Sequence, residues 1–356
     1  MSNSIVIRVP DDFHHHCRDG VQIGAILKFA MKRFGRILVM PNLHPPVTTT
    51  ELALEYKDRI LQAQQNVGKK NPNIQATEFL MTMYLTDHTT PEEIQKAHAA
   101  GLVGCKYYPA GATTNSAEGV TDVKLCYAAL HEMSRLGMML CIHSEVTHAD
   151  IFEREPIFIE DVMKPLVSDF PCLKITMEHI STKEAVDYVM NDAPETVKAS
   201  ITCHHLLYNR NHMLVGGIRP HLYCLPILKS EEHRTALLAA ATSGSPKFFL
   251  GTDSAPHAVT RKEAACGCAG VFTAHAAVEL YAEAFEQVNA LDKLEDFCSS
   301  YGADHYGLPR STATLTLKKK SWTVPSWLAF GDGESVRPLR FDEEVQWTIV
   351  NKLVVN

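Results

Sequence analysis

Near its N-terminus the sequence reads IVIRVPDDFHHHCRDG (residues 5–20), an apolar run that leads into three consecutive histidines and an arginine. The β-branched residues 5–9 predict a strand that delivers the histidines to its C-terminal tip. Side chains alternate between the two faces of an extended chain, so His14 and His16 point the same way and can bind one metal ion, while His15 points elsewhere. We therefore expect part of a metal site here, with Arg18 beside it as an anion-binding group.

Similar apolar runs recur along the chain and alternate with stretches of helical periodicity such as residues 51–61. Eight strands alternating with helices are typical of a (β/α)8 TIM barrel, whereas a doubly wound sheet more often has a glycine-rich first turn, which is absent here. The fold class predicted is therefore α/β, a TIM barrel. The predicted strands are residues 5–9, 36–40, 79–85, 103–108, 138–143, 173–179, 199–203 and 247–251.

The length of 356 residues is compatible with one such catalytic domain over the whole chain, 1–356. We expect the barrel to span about residues 5–309. Residues 310–356 form a C-terminal extension in this scheme, predicted as an appended strand or hairpin outside the barrel, and the lysines at 318–320 are expected on a solvated face.

Polar side chains stand at or just beyond the end of every predicted strand. In a TIM barrel these ends converge on one mouth, where active sites of this fold lie. The sequence thus predicts one site built from His14, His16, Asn42, Thr86, Asp87, Lys106, His143, His179, His204 and Asp253.

Composition restricts the function and the compartment. With 46% hydrophobic and 21% charged residues and a net charge of −7, the chain has the composition of a soluble globular protein, and its charge disfavours nucleic acid or an anionic membrane as partner. A small-molecule substrate fits better. Residues 1–4 lack the features of a signal peptide, and no uninterrupted apolar run reaches about 18 residues, so we expect a cytoplasmic protein.

The ten cysteines, among them Cys105, Cys141, Cys203 and Cys224 in predicted apolar strands, are expected to be free thiols.

Five of the residues at the strand ends are potential metal ligands: His14, His16, His143, His179 and Asp253. Imidazole and carboxylate together suit zinc, and five ligands exceed what one catalytic zinc needs, so the set indicates two metal ions. Two such cations about 3.5–4 Å apart need a bridging anion. Lys106 can supply one if CO₂ adds to its amine to give a carbamate; the alternative is a Lys106 ion pair, and spacing alone leaves both open.

Several motifs carry a family resemblance. Residues 13–20, 40–43, 106–116, 143–150 and 251–257 resemble the dihydroorotase family, in its compact bacterial and fungal type, within the amidohydrolase superfamily. The resemblance extends from about residue 9 to 309 and leaves the tail outside.

The resemblance implies a zinc-dependent enzyme that reversibly cyclises N-carbamoyl-L-aspartate to L-dihydroorotate, the third step of pyrimidine biosynthesis. It implies that His14, His16, Asp253 and Lys106, carboxylated to N6-carboxylysine, hold the more buried of two Zn²⁺ ions. Lys106, His143 and His179 would hold the other, with a hydroxide bridging the two ions. Asp253 would accept the proton of the hydroxide and pass it to the leaving ring nitrogen.

For the substrate, the resemblance implies that Arg18, Asn42 and His257 bind the carboxylate. Backbone groups near Leu225 and Ala269 would contact the ring edge, and a mobile loop containing Thr113 and Thr114 would close over it. Homodimerisation is implied in the same way.

Two other functions remain open at this stage. A hydantoinase or dihydropyrimidinase also opens cyclic amides but lacks the arrangement of Arg18, Asn42 and His257 around a carboxylate. A non-catalytic barrel kept as a scaffold would be expected to have lost ligands, and this chain keeps all six. Two residues depart from the family pattern: Gly111, in the loop expected to be mobile, and His15. The first departure bears on the rigidity of that loop, and the second on the packing beneath the site. Cys266 and Cys268 form a C-x-C pair that is weak as a metal motif.

Overall fold

The computed structural model describes residues 3–353 and contains a barrel of eight parallel strands. Neighbouring strands pair in chain order, and a further bridge between His15 and Ser254 joins the first strand to the segment after the last. The predicted TIM barrel is confirmed. Its strands are β2 (Asp11–His15), β3 (Arg36–Val39), β4 (Glu78–Tyr84), β5 (Gly104–Tyr107), β6 (Met139–His143), β7 (Lys174–Glu178), β8 (Val197–Ile201) and β9 (Phe248–Leu250).

The prediction for the first barrel strand is wrong. Residues 5–9 were expected to open the barrel, but β1 (Ser4–Arg8) lies outside it and pairs antiparallel with β10 (Thr314–Thr323). The barrel instead begins at Asp11. Strand β2 reads DDFHH and is wholly buried, because its polar groups find partners inside the fold: Asp11 accepts from Arg36 Nε at 3.0 Å.

The C-terminal part of the chain forms two small antiparallel sheets. In the first, β10 lies between β1 and β13 (Glu344–Leu353). Trp347 of β13 is fully buried against the rest of the protein, whereas residues 318–320 are exposed. The second is a hairpin of β11 (Leu328–Gly331) and β12 (Glu334–Val336).

Helices cover the outside of the barrel, and the segments that connect the strands to them form loops at its mouth. Short 3₁₀ or π-helical segments lie at Val123–Cys126, Ile159–Met163, Tyr188–Asp192, Pro220–Leu222, Leu291–Lys293 and Asp296–Ser300. The α-helices are α1 (Val21–Met31), α2 (Thr50–Lys70), α3 (Pro91–Ala99), α4 (Tyr127–Leu136), α5 (Arg154–Phe158), α6 (Lys164–Asp169), α7 (Lys183–Asp187), α8 (Cys203–Leu207), α9 (Arg210–Leu214), α10 (Glu231–Thr242), α11 (Val259–Lys262), α12 (Ala277–Gln287) and α13 (Tyr301–Tyr306).

The cysteines are all free, as predicted. Cys105 and Cys141 lie in β5 and β6, but the other two expected strand positions are wrong. Cys203 begins α8, and Cys224 lies in a loop without regular secondary structure. Over residues 3–353, we find no helix that combines the length and the apolar character needed to span a bilayer.

Candidate metal centre and substrate pocket

The C-terminal ends of the barrel strands surround one pocket with about 350 Å³ of empty volume. Four of the site residues expected from the sequence do not line it: Thr86, Asp87, Lys106 and His204. Lys106 and His204 are fully buried, whereas Thr86 and Asp87 are partly exposed. Tyr108, Ala255 and Gly270 line it as well and were not expected. The expected residues in the lining are His14, His16, Arg18, Asn42, Thr113, Thr114, His143, His179, Leu225, Asp253, His257 and Ala269.

Three potential ligands meet at the end of β2. The Nε2 atoms of His14 and His16 are 3.3 Å apart, and Oδ1 of Asp253 lies 3.3 Å from the first and 2.9 Å from the second. These separations match the edges of a coordination shell with bonds of about 2.0–2.2 Å. His15 points away, as strand alternation predicts, and its Nδ1 lies 2.8 Å from Asp12 Oδ2.

The two imidazoles of this group differ in their charge environment. Burial alone would lower the pKa of His14, but the charges of Glu178 and Asp253 outweigh it and raise the pKa to about 9. For His16, burial prevails over the Asp253 hydrogen bond and lowers the pKa to about 4. The carboxylates of Glu178 and Asp253 thus make the surroundings of His14 negative, which favours a bound cation at the pocket floor.

His143 and His179 extend the group toward β6 and β7. His143 Nε2 lies 2.8 Å from Glu145 Oε2, an arrangement in which a carboxylate orients an imidazole and leaves Nδ1 for an ion. His179 is buried, and its Nδ1 has no hydrogen-bond partner among residues 3–353. The His179 ring centroid lies 4.9 Å from those of both His14 and His143, so the imidazoles form one continuous set.

Lys106 and Glu178 form a fully buried ion pair below these rings. The other oxygen of Glu178 lies 3.1 Å from His14 Nδ1. Sequence reasoning missed Glu178, although an acidic residue in the apolar run of β7 was a signal. Neighbouring strand residues normally face opposite sides, but His179 has φ 44, and this turn of the backbone lets both side chains reach the centre.

Three site residues share this left-handed backbone conformation, which non-glycine residues rarely adopt. They are Arg18 (φ 59), His179 (φ 44) and Asp253 (φ 43). Such strain clusters at functional sites, where the surrounding structure holds it in place. His179 directly follows β7, whereas Arg18 and Asp253 lie in the loops after β2 and β9. All three side chains line the pocket.

Arg18 is held rigidly on one wall of the pocket. Its Nε donates to Pro256 O at 2.8 Å, and its Nη2 donates to His257 Nε2 at 3.1 Å, because a guanidinium can only donate. Burial, reinforced by the Arg18 charge, lowers the pKa of His257 to about 2, so His257 is neutral. The remaining guanidinium N–H groups suit a carboxylate.

The loop expected to be mobile lies across the mouth of the pocket. Asn42 Nδ2 donates to Thr114 O at 3.2 Å, and Thr114 Oγ1 donates to Ala269 O at 3.4 Å on the opposite wall. Gly111, at the start of this loop, has φ 78, a conformation that glycine adopts without strain. The loop therefore closes the pocket through a few polar contacts, and its mobility remains a prediction.

The residues fit a binuclear metal centre on chemical grounds. Four imidazoles, a carboxylate and a buried lysine converge, and buried polar atoms such as His179 Nδ1 and Glu145 Oε1 have no hydrogen-bond partner within the described chain. His14, His179 and Asp253 offer ligand atoms that all lie within 4.8 Å of one another. Ions held there would satisfy groups that the protein alone leaves unpaired.

Comparison with known proteins identifies the family. Residues 9–326 match the model of the amidohydrolase family. The dihydroorotase of Teredinibacter turnerae is 56% identical over 351 residues, which cover 98% of this chain and 99% of that protein. The dihydroorotase of Shewanella baltica is 58% identical over 349 residues, covering 97% and 99% respectively. The chain belongs to the dihydroorotase family of amidohydrolases.

Solved structures of dihydroorotases have the same fold over the whole chain. The Saccharomyces cerevisiae dihydroorotase, in complex with 5-fluoroorotic acid, has a TM-score of 0.88 at 31% identity and covers 99% of this chain and 100% of its own. The Campylobacter jejuni dihydroorotase has a TM-score of 0.87 at 33% identity and covers 99% and 98%. An Arthrobacter aurescens L-hydantoinase (TM-score 0.78, 17% identity, covering 99% and 84%) shares the fold alone. The family resemblance and the predicted cyclic amide hydrolase class are therefore confirmed.

Proposed function

We propose that this dihydroorotase-family chain reversibly cyclises N-carbamoyl-L-aspartate to L-dihydroorotate, the third step of pyrimidine biosynthesis. The observation that carries the proposal is the placement of Arg18 and His257 on the wall of a pocket whose floor is the histidine group around Asp253. A carboxylate-bearing ring that enters this pocket meets a fixed guanidinium and a candidate metal centre together. Hydantoin-type substrates carry no such carboxylate.

We assign two Zn²⁺ ions to the floor. His14, His16, Asp253 and carboxylated Lys106 would hold the inner ion, and Lys106, His143 and His179 the outer one. When bound, the ions would supply a hydroxide at neutral pH and polarise the ring carbonyl. The ammonium of unmodified Lys106 would repel both cations, so this assignment requires its conversion to an anionic carbamate. In the structure Lys106 is instead paired with Glu178, and the carbamate would have to replace this ion pair when the ions bind.

The chain's own residues would bind and orient the substrate. Arg18 is oriented by Pro256 O and His257, so its free N–H groups can receive the substrate carboxylate with little further ordering. Asn42 and His257 complete this subsite in the proposal. Backbone groups at Leu225 and Ala269, which also line the pocket, would contact the ring edge.

Asp253 would move the proton. Its Oδ1 lies within 3.3 Å of both His14 Nε2 and His16 Nε2, among the proposed metal ligands. Burial opposes ionisation, but the neighbouring histidines lower the pKa of Asp253 well below its usual value, so it is a carboxylate able to accept a proton. It would return that proton to the ring nitrogen that leaves. Thr113 and Thr114 would exclude water during this step.

The remaining expectations belong to the same proposal. We propose that the chain forms a homodimer, as the family resemblance implies, and that it acts in the cytoplasm. The small-molecule substrate is then the principal partner.

The proposal is tested by comparing substrates on the purified protein. We expect hydrolysis of L-dihydroorotate and cyclisation of N-carbamoyl-L-aspartate, little turnover of dihydrouracil, and about two zinc ions per chain. Mass spectrometry or electron density at Lys106 tests the carbamate separately, since a free amine in active, metal-loaded enzyme would contradict it. Preference for dihydrouracil would indicate a dihydropyrimidinase. Absence of activity with fewer than about one zinc per chain would indicate a scaffold.

A further inference from the structure

A second group of potential metal ligands lies apart from the six residues assigned above. His204 and His205 are consecutive residues of α8, and Cys224 precedes Leu225 in the loop that lines the substrate pocket. Each offers a ligand atom, and these three atoms lie within 4.8 Å of one another. All three side chains are buried, with exposures of 0%, 2% and 0%. The proposed reaction uses none of them.

His204 is the residue of this group whose polar atoms lack partners. Over residues 3–353, neither its Nδ1 nor its Nε2 has a hydrogen-bond partner. A neutral imidazole carries one N–H donor and one acceptor nitrogen, and burying both without partners is costly. Burial also lowers the pKa of His204 to about 4, so the ring is neutral and one nitrogen has a free lone pair. Such a nitrogen is ready to bind a metal ion without losing a proton.

His205 and Cys224 converge on a single acceptor next to this ring. His205 Nε2 lies 3.0 Å from Pro226 O, and Cys224 Sγ donates to the same oxygen at 3.3 Å. The other nitrogen of His205 lies 2.8 Å from Thr202 Oγ1, a hydroxyl that can donate or accept. In the structure Nε2 donates to Pro226 O, so metal binding at Nε2 would require the proton to move to Nδ1, where Thr202 Oγ1 can accept it. The His204 and His205 ring centroids are 4.7 Å apart.

We propose that His204, His205 and Cys224 form a separate mononuclear site for a thiophilic metal ion of the Zn²⁺ class. Two imidazoles and one thiolate are donors that such ions prefer. The carbonyl oxygen of Pro226, already adjacent to two of the three, is available as a weak fourth donor. The binuclear centre has nitrogen and oxygen donors alone, so the two sites differ in chemistry as well as in residues.

The position of Cys224 gives the ion a structural role. Leu225 follows Cys224 directly and lines the substrate pocket, so a metal bound at Cys224 would tie this part of the pocket wall to α8. Burial raises the pKa of the Cys224 thiol to about 12, and metal binding must therefore displace its proton. Because the site is closed to solvent, we expect the ion to enter as the chain folds and to exchange slowly.

Cobalt substitution separates this site from the binuclear centre. The full chain is produced in cobalt-supplemented medium, in a Cys266→Ser and Cys268→Ser background that removes one exposed and one partly exposed thiol. A sulfur-to-cobalt charge-transfer band in the near ultraviolet requires a thiolate ligand, which the binuclear centre lacks. We expect this band, with about one cobalt per chain beyond those of the binuclear centre.

Matched variants make the test specific. His204→Gln and Cys224→Ser should each lose the band and about one metal ion per chain, whereas Cys298→Ser, which removes a buried thiol outside the group, should keep both. If Cys224→Ser does not fold, His204→Gln decides alone, because it leaves the thiol in place. A wild-type protein without the band, or a band that persists in His204→Gln, would overturn the proposal.

Discussion

Lys106 and Glu178 form an ion pair in which neither side chain is exposed to solvent, and Glu178 also approaches His14 at 3.1 Å. Burial would raise the pKa of Glu178, but His14 and Lys106 outweigh this effect and lower it. The Glu178 carboxylate thus interacts with both Lys106 and His14, two residues that we assign to the metal centre. Without bound metal, these interactions hold the centre together.

The first prediction concerns Glu178→Gln. Removing one partner of a buried pair leaves an uncompensated charge, so metal-free protein should lose about 3–5 kcal/mol of unfolding free energy. Zinc-loaded protein should lose less, because carboxylated Lys106 no longer needs this partner. Chemical unfolding with and without chelator measures the difference. Glu132→Gln, in a pair with the exposed Arg135, is the control and should have little effect on stability. Equal losses in both metal states would contradict the assignment.

Arg18→Ala should chiefly raise KM. The guanidinium contacts no proposed metal ligand and is positioned by Pro256 O and His257, so its loss removes carboxylate binding rather than chemistry. A charged hydrogen-bond pair of about 1.5–3 kcal/mol corresponds to a KM increase of about 10- to 150-fold. Steady-state kinetics with L-dihydroorotate measures it. Arg59→Ala, an exposed arginine paired with Asp19, should leave KM unchanged. A fall in kcat with unaltered KM would argue against the anchoring role.

Asp253→Ala should abolish turnover while the metals largely remain. The other proposed ligands still surround the centre, but the proton acceptor next to His16 is gone. General acid–base catalysis contributes about 10²- to 10⁴-fold, which sets the smallest loss of kcat we expect. Activity assays paired with zinc analysis of the same sample test this. A normal kcat would refute the proton-shuttle role.

Lys262→Met should loosen the pocket wall. The Lys262 ammonium is buried and donates to the carbonyls of Tyr223, Cys268 and Gly270 at 2.8, 2.7 and 2.8 Å, joining the two segments that flank Leu225 and Ala269. Methionine keeps the volume but not the donors. We expect KM to rise by about tenfold with a smaller change in kcat, consistent with the loss of about 1.4 kcal/mol of binding. An unchanged KM would show that these segments hold their shape without the cation.

Glu155→Gln should change how stability depends on pH. Burial, partly offset by Lys229 and by hydrogen bonds from Thr182 and Ser181, raises the pKa of Glu155 from 4.5 to about 7. The folded protein then binds the proton more tightly than the unfolded chain. Its contribution to stability is complete below pH 4.5 and is lost as the pH rises through about 7, by about 3 kcal/mol in total.

Comparing Glu155→Gln with the wild type separates the titration of Glu155 from that of the histidines, because the histidines are present in both proteins. We expect the wild-type unfolding midpoint to fall relative to that of the variant as the pH rises from about 4.5 to 7. Parallel curves over this range would show that the buried carboxyl titrates at its usual value.

The sequence alone determined the repeating unit and most of the candidate site. Alternating strand and helix periodicity predicted eight barrel strands, and seven of them match the structure to within a few residues. The alternation of side chains in an extended chain placed His14 and His16 together and His15 apart. These features depend on local geometry, which the order of residues specifies directly.

The tertiary structure decided what depends on contacts between distant segments. Residues 5–9 have the composition of a strand, but only pairing with residues 314–318 shows that this strand belongs to an outer sheet. His179 reaches the centre beside Glu178 because its backbone turns into a left-handed conformation, and α8 brings His204 next to Cys224. An apolar pattern shows that a segment is buried but not its neighbours, because long-range packing, rather than local preference, selects them.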